Sequence, residues 1–306
     1  MIPVALVTGF LGSGKTAYLR HLMARHADRR LVYLVNEFSP VDVDGRLLDD
    51  SKDRVVSLPG GSIFCRCLVS EFIKTMTGIP ERFLRDGMPP EGMVIEASGV
   101  ANPAVIERML HETRLDALFK LTAIVSVVDP GSFPTLIHTL PNIIDQVRAS
   151  DTVILNKTDL FDKAAVARTE SEVRRLHPGT RIVHATYCAV DLDLFGEHAE
   201  RGLDGQYALC ADPDYARFVV RTDEPIDGER LVAELGSLRN DIYRAKGFVR
   251  TGAGMRYLDC SPAATTLQAA RHNVPGTELV VIARAPSYDR VQAFITRFKQ
   301  GGFSAV

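Results

Sequence analysis

Near the start of the chain, Gly9-Phe10-Leu11-Gly12-Ser13-Gly14-Lys15-Thr16 spaces glycines, a lysine and a hydroxyl so as to wrap a polyphosphate. Gly9, Gly12 and Gly14 free the backbone to turn its N–H groups inward, and Ser13 adds one more donor. Lys15 is placed to reach the β- and γ-phosphates, and Thr16 to offer its hydroxyl to Mg²⁺. A second constellation, Met93-Val94-Ile95-Glu96-Ala97-Ser98-Gly99, ends an apolar run in a carboxylate. Glu96 there would hold the same Mg²⁺ directly or through water, and Gly99 would bring a backbone N–H to the γ-phosphate. The third is Asn156-Lys157-Thr158-Asp159. A carboxylate at Asp159 accepts from N1–H and the exocyclic amine of guanine, a donor pair that adenine lacks. Asn156 would bridge the base and the glycine loop, and the Lys157 stem would cover one face of the base. Taken together, these residues predict GTP hydrolysis by positioning and charge neutralisation, with GTP, GDP and Mg²⁺ as cofactors and no covalent intermediate.

Such loops must sit at the ends of buried strands. Ile2–Val7, Leu31–Val35, Met93–Ile95, Ile124–Val128, Thr152–Leu155 and Arg181–His184 are short apolar runs of the kind that parallel strands use. Between them Ala17–Arg25, Glu71–Leu84, Pro103–Leu110 and Ala164–Leu176 carry helical spacing. The alternation predicts an α/β fold, a doubly wound and mostly parallel sheet with helices on both faces. After about residue 205 the pattern changes to that of a small α+β unit, with strands at Ala216–Thr222, Ile242–Thr251, Met255–Cys260 and Glu278–Ala285. Helices are expected at Ile226–Leu238 and Tyr288–Phe298. The expected domains are residues 1–205 and 212–306, parted by the Gly- and Pro-containing stretch Gly202–Pro213.

The 306 residues carry 36 Lys and Arg against 38 Asp and Glu, a balance that gives no electrostatic case for a nucleic-acid partner. No apolar run reaches the about 18 residues of a membrane span, so no membrane partner and a cytoplasmic location are the expectation. Five cysteines, Cys65, Cys67, Cys188, Cys210 and Cys260, are scattered and odd in number, which favours reduced thiols over a disulfide framework.

The three constellations, with Val35-Asn36-Glu37-Phe38, Glu96-Ala97-Ser98-Gly99-Val100-Ala101-Asn102-Pro103 and Val127-Val128-Asp129, resemble the CobW-like GTPases related to the nickel-enzyme maturation GTPases. Tyr243-Arg244-Ala245-Lys246-Gly247 resembles the signature of that family's small C-terminal domain. The resemblance implies a GTPase domain, slow hydrolysis without a partner, and a metallochaperone role with zinc or another transition metal as cargo. It also implies a client metalloprotein or cofactor-dependent enzyme as partner. A homodimer is a further expectation.

The family's metal motif is Cys-x-Cys-Cys after a glycine, whereas this chain reads Gly61-Ser62-Ile63-Phe64-Cys65-Arg66-Cys67. Aligned on Gly61, the family's cysteines fall on Ser62, Phe64 and Cys65, and Cys67 is an addition. Ser39-Pro40-Val41-Asp42 also departs from the usual glycine-acid-hydrophobic-glycine run. Two readings of the loop stand open. Cys65 and Cys67, helped by Glu37 and a partner's ligands, could hold a soft ion, since zinc takes four ligands. Alternatively they are small buried hydrophobes, and the protein is a nucleotide-gated partner-binding module with no metal cargo. Cys188, Cys210 and Cys260 are expected to be structural.

Overall fold

The computed structural model describes residues 1–37, 53–59, 61–65, 68–196, 202–203, 205–207, 215–262, 264–270, 274–284, 287–299 and 303. It divides into two compact units, Met1–Cys210 and Ala211–Val306.

The first unit is built on seven strands: β1 (Ile2–Thr8), β2 (Leu31–Glu37), β3 (Val55–Pro59), β4 (Gly92–Glu96), β5 (Phe119–Val128), β6 (Thr152–Leu155) and β7 (Arg181–His184). Their order is β3-β2-β4-β1-β5-β6-β7, and every pairing is parallel. Among the described residues six helices connect them: α1 (Lys15–Arg25), α2 (Val69–Arg82), α3 (Ile106–Glu112), α4 (Phe133–Leu136), α5 (Pro141–Arg148) and α6 (Lys163–Leu176). Successive residues of β1 feed opposite faces. Val4 and Leu6 join a core with Phe72, Met76 and Met109, while Ala5 and Val7 join another with Leu19, Leu22 and Cys188. Helices on both faces are why β1 is apolar without alternation. The doubly wound parallel sheet expected from the sequence is the observed fold.

Two of the short elements absent from the sequence reading, β3 and α5, have physical causes in the residues themselves. β3 spans five residues and follows a polar stretch, so it carries little periodic signal. Proline opens α5 at N1, where its missing N–H costs nothing, but four of its eight residues, Asn142, Asp145, Gln146 and Arg148, are polar and interrupt an apolar stripe.

The second unit is a five-stranded antiparallel sheet, ordered β11-β10-β9-β12-β8. Its strands are β8 (Tyr215–Thr222), β9 (Ile242–Thr251), β10 (Gly254–Cys260), β11 (Thr265–Ala269) and β12 (Thr277–Arg284). Helices α7 (Gly228–Ser237) and α8 (Tyr288–Lys299) supply Leu231, Leu235, Val291 and Phe294 to a core with Ala245, Val249, Leu279 and Val281. Asp227 caps α7 by accepting from the Glu229 and Arg230 N–H groups, both at 3.1 Å. Among the described residues no helix is long and apolar enough to cross a membrane.

Candidate functional site

β1 lies between β4 and β5 at the centre of the sheet, so the loop after it opens at the topological switch point, where such sheets bind ligands. Gly9, Gly12 and Gly14 there have φ of 132°, 79° and 120°, all in the region that disfavours side chains. A Cβ on Gly9 would collide with the Val127 carbonyl, and one on Gly14 with the Asn156 amide. The Lys15 ammonium donates to the carbonyls of Gly9 at 2.9 Å and Phe10 at 3.3 Å, which folds it over the loop. α1 begins at Lys15 with no acidic residue in its first turn, leaving the N-terminal positive potential intact.

Parallel register puts Glu96 opposite Val7, one strand from the loop. The Thr16 hydroxyl donates to Glu96 Oε1 at 3.2 Å. Two hard oxygens at this separation are a donor set suited to Mg²⁺. Gly99 packs so closely on the loop that an added Cβ would lie 2.7 Å from the Leu11 nitrogen.

The other side of the pocket comes from β6. Asn156, only 2% exposed, donates through Nδ2 to the Ser13 carbonyl at 2.8 Å. Its Oδ1 accepts from the Cys188 N–H at 2.8 Å, so one amide ties three loops together. Asp159 is exposed and available to a base. Lys157 adopts φ 60° and pairs with buried Asp129, Nζ to Oδ2 2.8 Å, which fixes the stem expected to cover a base. Cys188 packs directly under this junction, its Sγ 3.4 Å from the Gly14 carbonyl, and burial pushes its thiol up to about 12.

Two polar residues with no role in the sequence reading emerge here. Asn36 at the end of β2 is 3% exposed. Its Nδ2 donates to the carbonyls of Leu58 at 3.1 Å and Gly61 at 2.7 Å, and its Oδ1 accepts from the N–H groups of Ile63 at 2.9 Å and Ser98 at 3.4 Å. It therefore joins the segment carrying Cys65 to the loop after Glu96. On α5, Gln146 is 1% exposed and donates to the carbonyls of Gly99 at 3.2 Å and Ala101 at 3.1 Å. The one sequence signal was the position of Asn36 at the end of the apolar run Leu31–Val35; Gln146, next to Asp145, had none.

The metal loop corrects an expectation. Cys65 is buried and disulfide-bonded, where scattered cysteines had favoured reduced thiols; in that form its sulfur is no thiolate ligand. Cys67, Cys210 and the Glu37 side chain lie outside the described residues. Among the described residues no group of three or more His, Cys, Asp or Glu is placed to hold a metal ion.

A family model described as the CobW/HypB/UreG nucleotide-binding domain matches residues 3–184, well over half of the chain. The chain belongs to that family. A second model, the cobalamin synthesis protein cobW C-terminal domain, matches residues 215–299. Similar proteins include the zinc chaperone CobW of Pseudomonas aeruginosa, 32% identical over 303 residues, covering 84% of this chain and 79% of that protein. The zinc chaperone YjiA of Escherichia coli is 25% identical over 272 residues, covering 85% and 83%. A crystal structure of Zn(II)-bound YjiA GTPase from E. coli aligns with 96% of this chain and 98% of that one, at 18% identity and a TM-score of 0.48. Membership of the CobW/HypB/UreG family makes this a P-loop nucleotide-binding protein of the GTPase type.

Proposed function

We propose that this chain binds GTP with Mg²⁺, hydrolyses it slowly, and uses the cycle to deliver a transition metal or metallocofactor to a client protein. The observation that supports the reading is the Asn156 bond to the Ser13 carbonyl, which ties the Asn156–Asp159 loop to the Gly9–Thr16 loop. In this reading Gly9, Gly12, Ser13, Gly14 and Lys15 hold the triphosphate, and Asp159 selects guanine. Thr16 and Glu96 hold Mg²⁺, which when bound offsets charge on the β- and γ-phosphates. Lys15 and the Gly99 N–H stabilise the charge that develops as the γ-phosphoryl group leaves.

Metal delivery is supported by family membership and by the zinc chaperones among its relatives. Asn36 supplies a route by which the loop after Glu96 could inform the segment carrying Cys65. A second reading, a nucleotide-gated module without metal cargo, is favoured by Ser62 and Phe64, which stand where the family's metal motif has cysteines. Titration of Zn²⁺ and Co²⁺ under reducing conditions, with GDP or a non-hydrolysable GTP analogue bound, separates the two. Delivery predicts affinity that changes at least tenfold between nucleotides and is lost in Cys65→Ser and Cys67→Ser. Weak binding that ignores both substitutions establishes the second reading.

A further inference from the structure

The loop after β4 is held from outside by one face of α5. Asn142, Asp145 and Gln146 fall at spacings of three and four, which line one side of a helix. Asn142 Nδ2 donates to the Val100 carbonyl at 2.9 Å, Gln146 Nε2 to the carbonyls of Gly99 at 3.2 Å and Ala101 at 3.1 Å. Asp145 Oδ2 accepts from Asn102 Nδ2 at 2.8 Å, and Asn102 in turn caps the following 3₁₀ turn through the Ala104 N–H at 2.9 Å. Four consecutive residues, Gly99 to Asn102, are thus tied to one helix. A further bond from the Ala101 N–H to the Ser98 carbonyl, 3.0 Å, closes the turn.

A trans peptide points its N–H opposite to its C=O. Anchoring the Gly99 carbonyl on α5 therefore fixes the Val100 N–H away from α5, and anchoring the Val100 carbonyl restrains its neighbours. Gly99 and Val100 are buried, yet neither N–H has an acceptor among the described residues, while Gly99 abuts Leu11 of the phosphate loop. Buried backbone donors are nearly always satisfied, so such a pair beside a phosphate loop points to an acceptor supplied by a ligand.

We infer that Asn142 and Gln146 are positioning residues for GTP hydrolysis, holding the Gly99 and Val100 N–H groups pre-aimed at the terminal phosphate so that the site discriminates GTP from GDP. The inference rests on the proposed GTPase reading. It also explains why α5 buries the polar Gln146 beside the apolar Ile143 and Val147. Donors fixed before the reaction stabilise developing charge without reorganising, so their benefit falls on the triphosphate and on turnover and leaves diphosphate binding alone.

The test compares wild type, Asn142→Ala, Gln146→Ala and Gln146→Met, the last keeping the volume of the side chain without its donor. Affinities for GDP and for a non-hydrolysable GTP analogue are measured with the GTP turnover number, and GDP affinity and Tm serve as the check on folding. The expected result is GDP affinity within about twofold of wild type in Gln146→Met, with analogue affinity and kcat reduced at least tenfold. Equal losses for GDP and the analogue, or unchanged kcat in both Asn142→Ala and Gln146→Met, would overturn the positioning role. If wild type binds GTP but does not turn it over, the GTPase reading fails. The affinity ratio between analogue and GDP then still decides the role of α5.

Discussion

Replacing Asn36 by aspartate keeps the shape of the side chain and its Oδ1 acceptor but turns a donor into an oxygen. That oxygen would face the carbonyls of Leu58 and Gly61, which now accept from Nδ2 at 3.1 and 2.7 Å. Each buried carbonyl left without its donor costs about 1–3 kcal/mol, so Asn36→Asp should lose about 2–6 kcal/mol at neutral pH. For a unit of this size about 2–4 °C of Tm accompanies each kcal/mol, which puts the expected fall at roughly 4–24 °C. Burial in this setting raises the pKa of the new carboxyl above its unfolded value. The protonated form carries an O–H that can donate to one of the two carbonyls, so stability is retained below the unfolded pKa and lost as pH rises through the folded one. Thermal unfolding of wild type and variant across pH 4.5 to 8 reads the difference directly. A variant within about 2 °C of wild type at every pH would refute the claim that Asn36 holds the Cys65 segment against the loop after Glu96.

Three further expectations follow from single contacts. Thr16→Ala removes the hydroxyl 3.2 Å from Glu96 Oε1 and should raise the Mg²⁺ concentration needed for half-maximal GTP hydrolysis about tenfold or more, read by titrating Mg²⁺. Gly14→Ala puts a methyl into the Asn156 amide at φ 120° and should weaken GDP and GTP binding together by about tenfold or more, since backbone strain of about 1–3 kcal/mol falls on the shared loop; calorimetric titration checks it. Cys188, held protonated to about 12, should resist alkylation at pH 7.5 in the folded protein. Above the ordinary thiol range the unfolded chain binds fewer protons than the native one, so stability falls as pH rises from about 9 towards 12. Cys188→Ala should flatten that part of the profile.

The sheet was legible because buried parallel strands announce themselves as runs such as Ile2–Val7, and because each chemical loop followed such a run. Lys15, Thr16, Glu96 and Asn156 carry their chemistry in their type and spacing, so their meeting could be expected before any coordinates. α5 could not be read in that way, because Asn142, Asp145 and Gln146 hydrogen-bond to the loop after Glu96 and so imitate a solvent-facing surface. β11 was lost for a related reason: its five residues are mostly exposed and only Leu267 packs on the core, leaving no alternation to detect. Asn36 stood in a recognised motif, but its four partners lie up to 62 residues away in sequence, a convergence that only the folded chain brings about.

Guanine selection by Asp159 is the claim on which the rest depends, and nucleotide competition tests it most directly. Wild type loaded with a fluorescent GDP should release it to unlabelled GTP at concentrations at least about a hundredfold below those of ATP, because an unmatched base leaves the carboxylate bare. In Asp159→Ala that ratio should collapse towards one, with GTP weakened and ATP little changed. Displacement by ATP as readily as by GTP in wild type, or a guanine preference that survives the substitution, would contradict the account.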